Sequence, residues 1–128
     1  MKISIRCIRK NTHGELEVVF FSEYGECVGI WHGNEPKLKD YFVEIDIPSP
    51  ITEIKVVNEK KHCMQLKDRK VRISGIFESY DDDGYATLRL KDSIVCFETN
   101  YNENLVNMLG KFVEVNVDYI DIYDEMVI

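Results

Sequence analysis

The side chains able to do chemistry in this chain are few, and none stands at a spacing that makes a reaction centre. Cysteines occur at Cys7, Cys27, Cys63 and Cys96, separated by 20, 36 and 33 residues. No C-x-x-C pair exists, so the zinc and thioredoxin signatures are missing. They read as four reduced thiols, with Cys7, Cys27 and Cys96 inside strands as small hydrophobes. The histidines His13, His32 and His62 lie in or beside turns and linkers and form no H-x-x-x-H or H-E-x-x-H pattern. His62 and Cys63 are adjacent, but a nucleophile and its base must converge, and neighbours in a basic loop point apart. Asp81-Asp82-Asp83-Gly84 could open a calcium loop, yet that register starts at Ser79 and puts Leu90 where the bidentate glutamate belongs. It reads as a hairpin turn. No nucleophile elbow, phosphate-binding loop or dinucleotide fingerprint occurs. The expectation is a protein that binds rather than catalyses, with no metal, no cofactor and no catalytic residues.

The elements that must position any binding residue are strands. Ile3, Ile5 and Cys7 alternate with Lys2, Ser4 and Arg6; Leu16, Val18 and Phe20 alternate with Glu15, Glu17 and Val19. The same period of two runs through Val43, Ile45 and Ile47, through 85–91 and through 111–117, predicting strands with one buried and one wet face. Turn signals stand between them at His13-Gly14, Tyr24-Gly25, His32-Gly33-Asn34 and Asp83-Gly84. Pro48 and Pro50 end the fourth strand, since proline cannot donate to a ladder. One stretch reads as a short helix, 103–109, with Asn102 as N-cap, Glu103 at the positive end of the dipole and Gly110 as the stop.

The 128 residues are 45% hydrophobic and 30% charged with a net charge of −7, which excludes a disordered, collagen-like or generally basic nucleic-acid-binding chain. Ser4, Arg6 and Arg9 interrupt any secretory apolar run at the start, and no stretch reaches the roughly 18 apolar residues of a membrane span. The expected location is the cytoplasm, with no membrane partner. Charge is divided unevenly. Residues 1–72 carry 13 basic and 11 acidic side chains, while 73–128 carry 3 and 12, a net of −9. Within 55–72 seven basic residues face only Glu59 and Asp68. One part of the molecule should be electropositive and another strongly electronegative.

Sliding the chain by 70 residues lays Ile3-Ser4 over Ile73-Ser74, Gly14 over Gly84 and Phe42-Val43-Glu44 over Phe112-Val113-Glu114. Strand phase, turn position and spacing agree without a gap, which predicts a structural duplication. The expected domains are an N-terminal β-barrel-like half (1–58), a basic linker (59–70) and a C-terminal half (71–128). In the last, three meandering strands (71–78, 85–91, 94–99), a helix and two further strands (111–118, 120–126) resemble the OB-fold, a small Greek-key barrel. The resemblance is of architecture alone and carries no diagnostic motif. It implies an all-β protein with one short helix, made of two tandem OB-like or related small barrels. The first half lacks the helix, having Gly33-Asn34-Glu35-Pro36-Lys37-Leu38 in its place, and so reads as OB-like, SH3-like or part of a larger sandwich.

Two binding surfaces follow. On the last strand Tyr119, Asp121, Tyr123 and Glu125 share one face, an acidic strip with tyrosines suited to a basic protein partner, as in inhibitor, immunity-type or adaptor proteins. Tyr85, Phe97 and Tyr101 are aromatics of the kind OB-folds stack on bases, but the carboxylates of Asp81, Asp82, Asp83, Asp92 and Glu98 crowd them and repel phosphate. The alternative, single-stranded oligonucleotide binding, therefore falls to Trp31 and Tyr24 with the basic linker, although the net charge opposes nucleic acid. Trp31, the only tryptophan, alternates out of phase with Val28 and Ile30; it reads either as an exposed interface anchor or as a cap on the barrel bottom. A third reading is homodimerisation through an exposed sheet edge.

Overall fold

A computed structural model describes residues 1–48 and 53–125; Pro50 and Met126, assigned above to strand ends, lie outside the described residues. Eleven strands among the described residues form one sheet: β1 (Lys2–Lys10), β2 (Leu16–Ser22), β3 (Gly25–His32), β4 (Asp40–Asp46), β5 (Ile54–Val56), β6 (Cys63–Lys67), β7 (Lys70–Tyr80), β8 (Tyr85–Leu90), β9 (Ser93–Glu98), β10 (Phe112–Val117) and β11 (Asp121–Asp124). A short helix, α1 (Glu103–Val106), starts where Asn102 accepts from the Asn104 N–H, as its capping chemistry predicts. No helix among the described residues is long and apolar enough to cross a membrane.

The protein is all-β and contains a small closed five-strand barrel compatible with an OB-like architecture. Its circuit runs β1-β2-β3-β11-β4 and back to β1, where Lys2, Ile3 and Ser4 pair with Phe42, Tyr41 and Asp40. The closed circuit is not made from 71–128 alone. β11 leaves its sequence neighbours and inserts between β3, to which it is parallel, and β4, to which it is antiparallel. Ile120 and Ile122 are completely buried there. A Cβ on Gly29 would meet Ile122 Cδ1 at 2.5 Å and Ile120 Cγ1 at 3.1 Å, so the glycine leaves the space that these side chains fill. Continuing the sheet, β10, β7, β8 and β9 lie side by side, with β5 added to β10 and β6 to β7. Phe20, Phe77, Phe97, Ile73, Leu88 and Leu90 anchor a core shared by both halves.

Three local expectations change. The segment 59–70, expected as a linker, contains β6, which forms a hairpin with β7 and buries Cys63 and Met64. Its turn uses Asp68 and Arg69 at positive φ (53° and 66°), a conformation usually marked by glycine or asparagine, so the sequence lacked the customary signal. Cys7 is exposed rather than packed, because a bulge between Ile5 and Cys7 reverses the strand's phase. Leu109 is exposed while Leu105 and Met108 of the same helical face pack on the core.

Part of the basic charge in 55–72 is spent on acidic neighbours. Lys55 Nζ and Arg72 Nε lie 3.1 and 3.2 Å from the Glu114 carboxylate, and Lys70 faces Asp118. Burial would raise the Glu114 pKa, but the Lys55 hydrogen bond and the Arg72 charge outweigh it and hold the group below its ordinary 4.5. A depressed folded pKa stabilises the protein above the ordinary value and loses that contribution as pH falls through the folded one. Glu114→Gln should therefore cost about 2 kcal/mol at neutral pH, between the roughly 3–5 kcal/mol of a broken buried pair and the about 0–1 kcal/mol of an exposed one, because Glu114 is buried and Lys55 is exposed. Urea unfolding at pH 7 and in mild acid checks this, since the gap between variant and parent should narrow in acid.

Candidate functional site

The six residues singled out from the sequence do not form one site. Trp31 is 5% exposed, a correction to its outward reading. Its Nε1 donates to the Asn34 carbonyl at 2.6 Å, and its ring meets Tyr41 edge-on at 4.9 Å. The inward positions of β3 are Cys27, Gly29 and Trp31; Gly29 carries no side chain to announce that face. Tyr24 is also buried, at 6%, with its carbonyl taken by the Met64 N–H of β6. The oligonucleotide reading thus loses both aromatics proposed to stack on bases.

The strip on the last strand divides. Tyr119 precedes β11 and lines a groove of about 560 Å³ with Arg9, His13, Leu66, Arg69 and Asp118. Asp121 is buried and its Oδ1 lies 2.7 Å from His32 Nε2. The imidazole stacks on Tyr123 at 4.7 Å, with the rings 14° apart. Asp121 therefore positions His32, and His32 supports Tyr123 from behind. Tyr123 and Glu125 remain exposed.

These two belong to a second groove, of about 650 Å³, where β4, β9 and β11 meet. Its walls include Glu44, Asp46, Tyr85, Asp92, Ile94 and Tyr123, with Glu125 at the rim of the same surface. An adjoining hollow between Asp46, Tyr85 and Glu98 extends it. Glu44, Asp92, Glu98 and Glu125 are exposed and have no ion-pair partner among the described residues. The Met1 amine, which donates to the Val43 carbonyl, lines the same groove, and the Arg89 charge acts on Asp92. Cross-strand register explains the convergence: Tyr123 stands opposite Glu44, Asp121 opposite Asp46, and Tyr85 opposite Glu98.

The two phenols feel one field. Partial burial raises the Tyr85 pKa above its ordinary 10.0, and Cys96, Asp46, Glu98 and Glu44 add to the rise. Tyr123 is raised by burial first, then by Asp121, Asp46 and Glu44. Glu44 and Asp46 act on both rings, so the carboxylates and phenols form one electrostatic unit. At neutral pH the phenols keep their protons. Carboxylates flanked by neutral aromatic rings suit ammonium and guanidinium groups, through charge-assisted hydrogen bonds and ring faces.

Tyr85, Asp92 and Glu98 were visible in the sequence as a tyrosine crowded by acids. Glu44, Asp46 and Ile94 were not, since outward positions of an alternating strand look like plain solvent face. No protein-family model, curated protein or solved structure matches this chain.

Proposed function

We propose that this chain is a non-enzymatic recognition module, of the inhibitor, immunity-protein or adaptor kind, which captures a basic protein partner in the acidic groove. The observation that carries this reading is the set of carboxylates without an ion-pair partner among the described residues, Glu44, Asp92, Glu98 and Glu125, gathered around Tyr85 and Tyr123. Surface acids serving only solubility need not converge; these come from β4, the β8–β9 turn, β9 and the segment that follows β11. Tyrosines supply contact area at small entropic cost, and here the stacked His32 holds one of them in place.

The same reading treats the two halves as related barrels. In each, three antiparallel strands are followed by a fourth that returns to the first, β4 to β1 and β10 to β7. The first strand is bulged in both, between Ile5 and Cys7 and between Phe77 and Ser79. On this view each half lends the other its last strand: β11 lies against β4, and β5 against β10. The groove then sits at the seam where the halves exchange strands.

Reversing two exposed charges, Glu44→Lys with Glu125→Lys, should leave thermal stability nearly unchanged. It should weaken capture of a basic partner at least about tenfold, since like charges across an interface repel. Pull-down from lysate at low salt, followed by titration of the retained protein, measures both effects. Equal retention by parent and variant refutes the reading. Asp121 is the wrong position for this test, because its burial against His32 would make a reversal probe folding instead.

A further inference from the structure

We infer that the groove receives its partner as an extended, lysine- or arginine-bearing segment that pairs with the open edge of β9, an inference that rests on the acidic-groove reading. The backbone geometry supplies the argument. Thr99 N–H donates to the Gly84 carbonyl, and this pair continues the β8–β9 register. Hydrogen-bonded and non-bonded pairs alternate along an antiparallel ladder. Ala86/Phe97, Leu88/Val95 and Leu90/Ser93 are therefore the bonded pairs, and Ile94, Cys96 and Glu98 turn their N–H and C=O groups away from β8. On that side β9 meets β4 at one position, Cys96 opposite Asp46. The strands then splay apart toward Ile94 and Glu44, and the space between them is the groove. Ile94 is 46% exposed there, with no described strand beside its outward N–H and C=O.

An open edge is a template for another strand. Charge decides which one. A second copy of this chain would bring Glu44, Asp92, Glu98 and Glu125 against their own equivalents, so the edge repels self-pairing. A segment with cationic side chains at alternate positions would meet carboxylates along the groove while its backbone pairs with Ile94. Main-chain bonds would supply affinity, and the charge pattern would supply selectivity.

The probe is a short, end-blocked, fluorescent peptide of alternating valine and lysine, compared with the same peptide methylated at every backbone nitrogen. Anisotropy titration should show binding of the first by the parent protein, with about tenfold or greater loss for the methylated peptide, as expected when the Ile94 carbonyl is left without its donor. Ile94→Pro removes the outward N–H without touching the β8 ladder and should weaken the unmethylated peptide similarly. Amide exchange at Ile94 in the parent protein should slow on binding, which keeps the test valid if the proline variant misfolds. Equal binding of both peptides, weakened only by Glu44→Lys with Glu125→Lys, overturns strand addition and leaves the acidic-groove reading standing. No binding of either peptide also overturns the inference. Lysozyme then serves as a folded basic probe: retention that is lost in the charge-reversed variant preserves the groove reading, and no retention ends both.

Discussion

Ending the chain after Asp118 should unfold the N-terminal barrel, although residues 1–46 keep four of its five strands. β11 is the stave between β3 and β4, and without it two edges and the barrel interior open to water. Ile120 and Ile122, both fully buried, would each forfeit about 1.5–3 kcal/mol of burial. Their loss, with the ladders to β3 and β4, is of the order of the whole stability of a small domain, about 5–15 kcal/mol. Trp31 reports the outcome, being the only tryptophan and packed inside that barrel beside Tyr41. Its emission should shift to the red and its near-ultraviolet dichroism should vanish. A synthetic peptide covering 119–125 should restore both in part. A truncated chain that retains a cooperative transition and a buried tryptophan signal would show that β11 is dispensable.

Gly75→Ala should be nearly as damaging, by a different route. An added Cβ would sit 2.3 Å from the Arg89 carbonyl oxygen and 3.0 Å from Leu90 Cδ2. The obstacle is backbone. β7 cannot retreat, because β8 pairs along one side and β10 along the other, with Gly75 itself opposite Val113. Overpacking that side chains cannot relieve costs more than about 3 kcal/mol, or roughly 10 °C or more in melting temperature for a domain of this size. Gly14→Ala is the contrast. That glycine sits in a turn at φ +79° with nothing within 4 Å of a new Cβ, so only backbone strain is added, about 1–2 kcal/mol. Calorimetry of the two variants separates the effects, and equal melting temperatures would contradict the contact argument.

The acidic groove rests on pairings far apart in sequence. Tyr123 and Glu125 could be picked out because their strand alternates Tyr-Asp-Tyr-Glu, and Tyr85 because acids surround it. Trp31 stood open between an exposed anchor and a barrel cap, since Gly29 left Cys27 as the single apolar mark on the inward face of β3. Asp121 was expected at the surface with its neighbours, but its bond to His32, 89 positions away, draws it inside. Cys7 followed a regular alternation that the bulge at its own strand interrupts.

Local chemistry alone determined that this chain makes strands, where most of them turn, and where its helix starts. Those outcomes depend on side-chain alternation, glycine torsions and one capping asparagine, all settled within a few residues. Which strands become neighbours was decided only in three dimensions. β11 closing the first barrel, and Glu44 reaching Tyr123, depend on how two apolar faces bury each other, and alternation is identical whichever partner a strand takes.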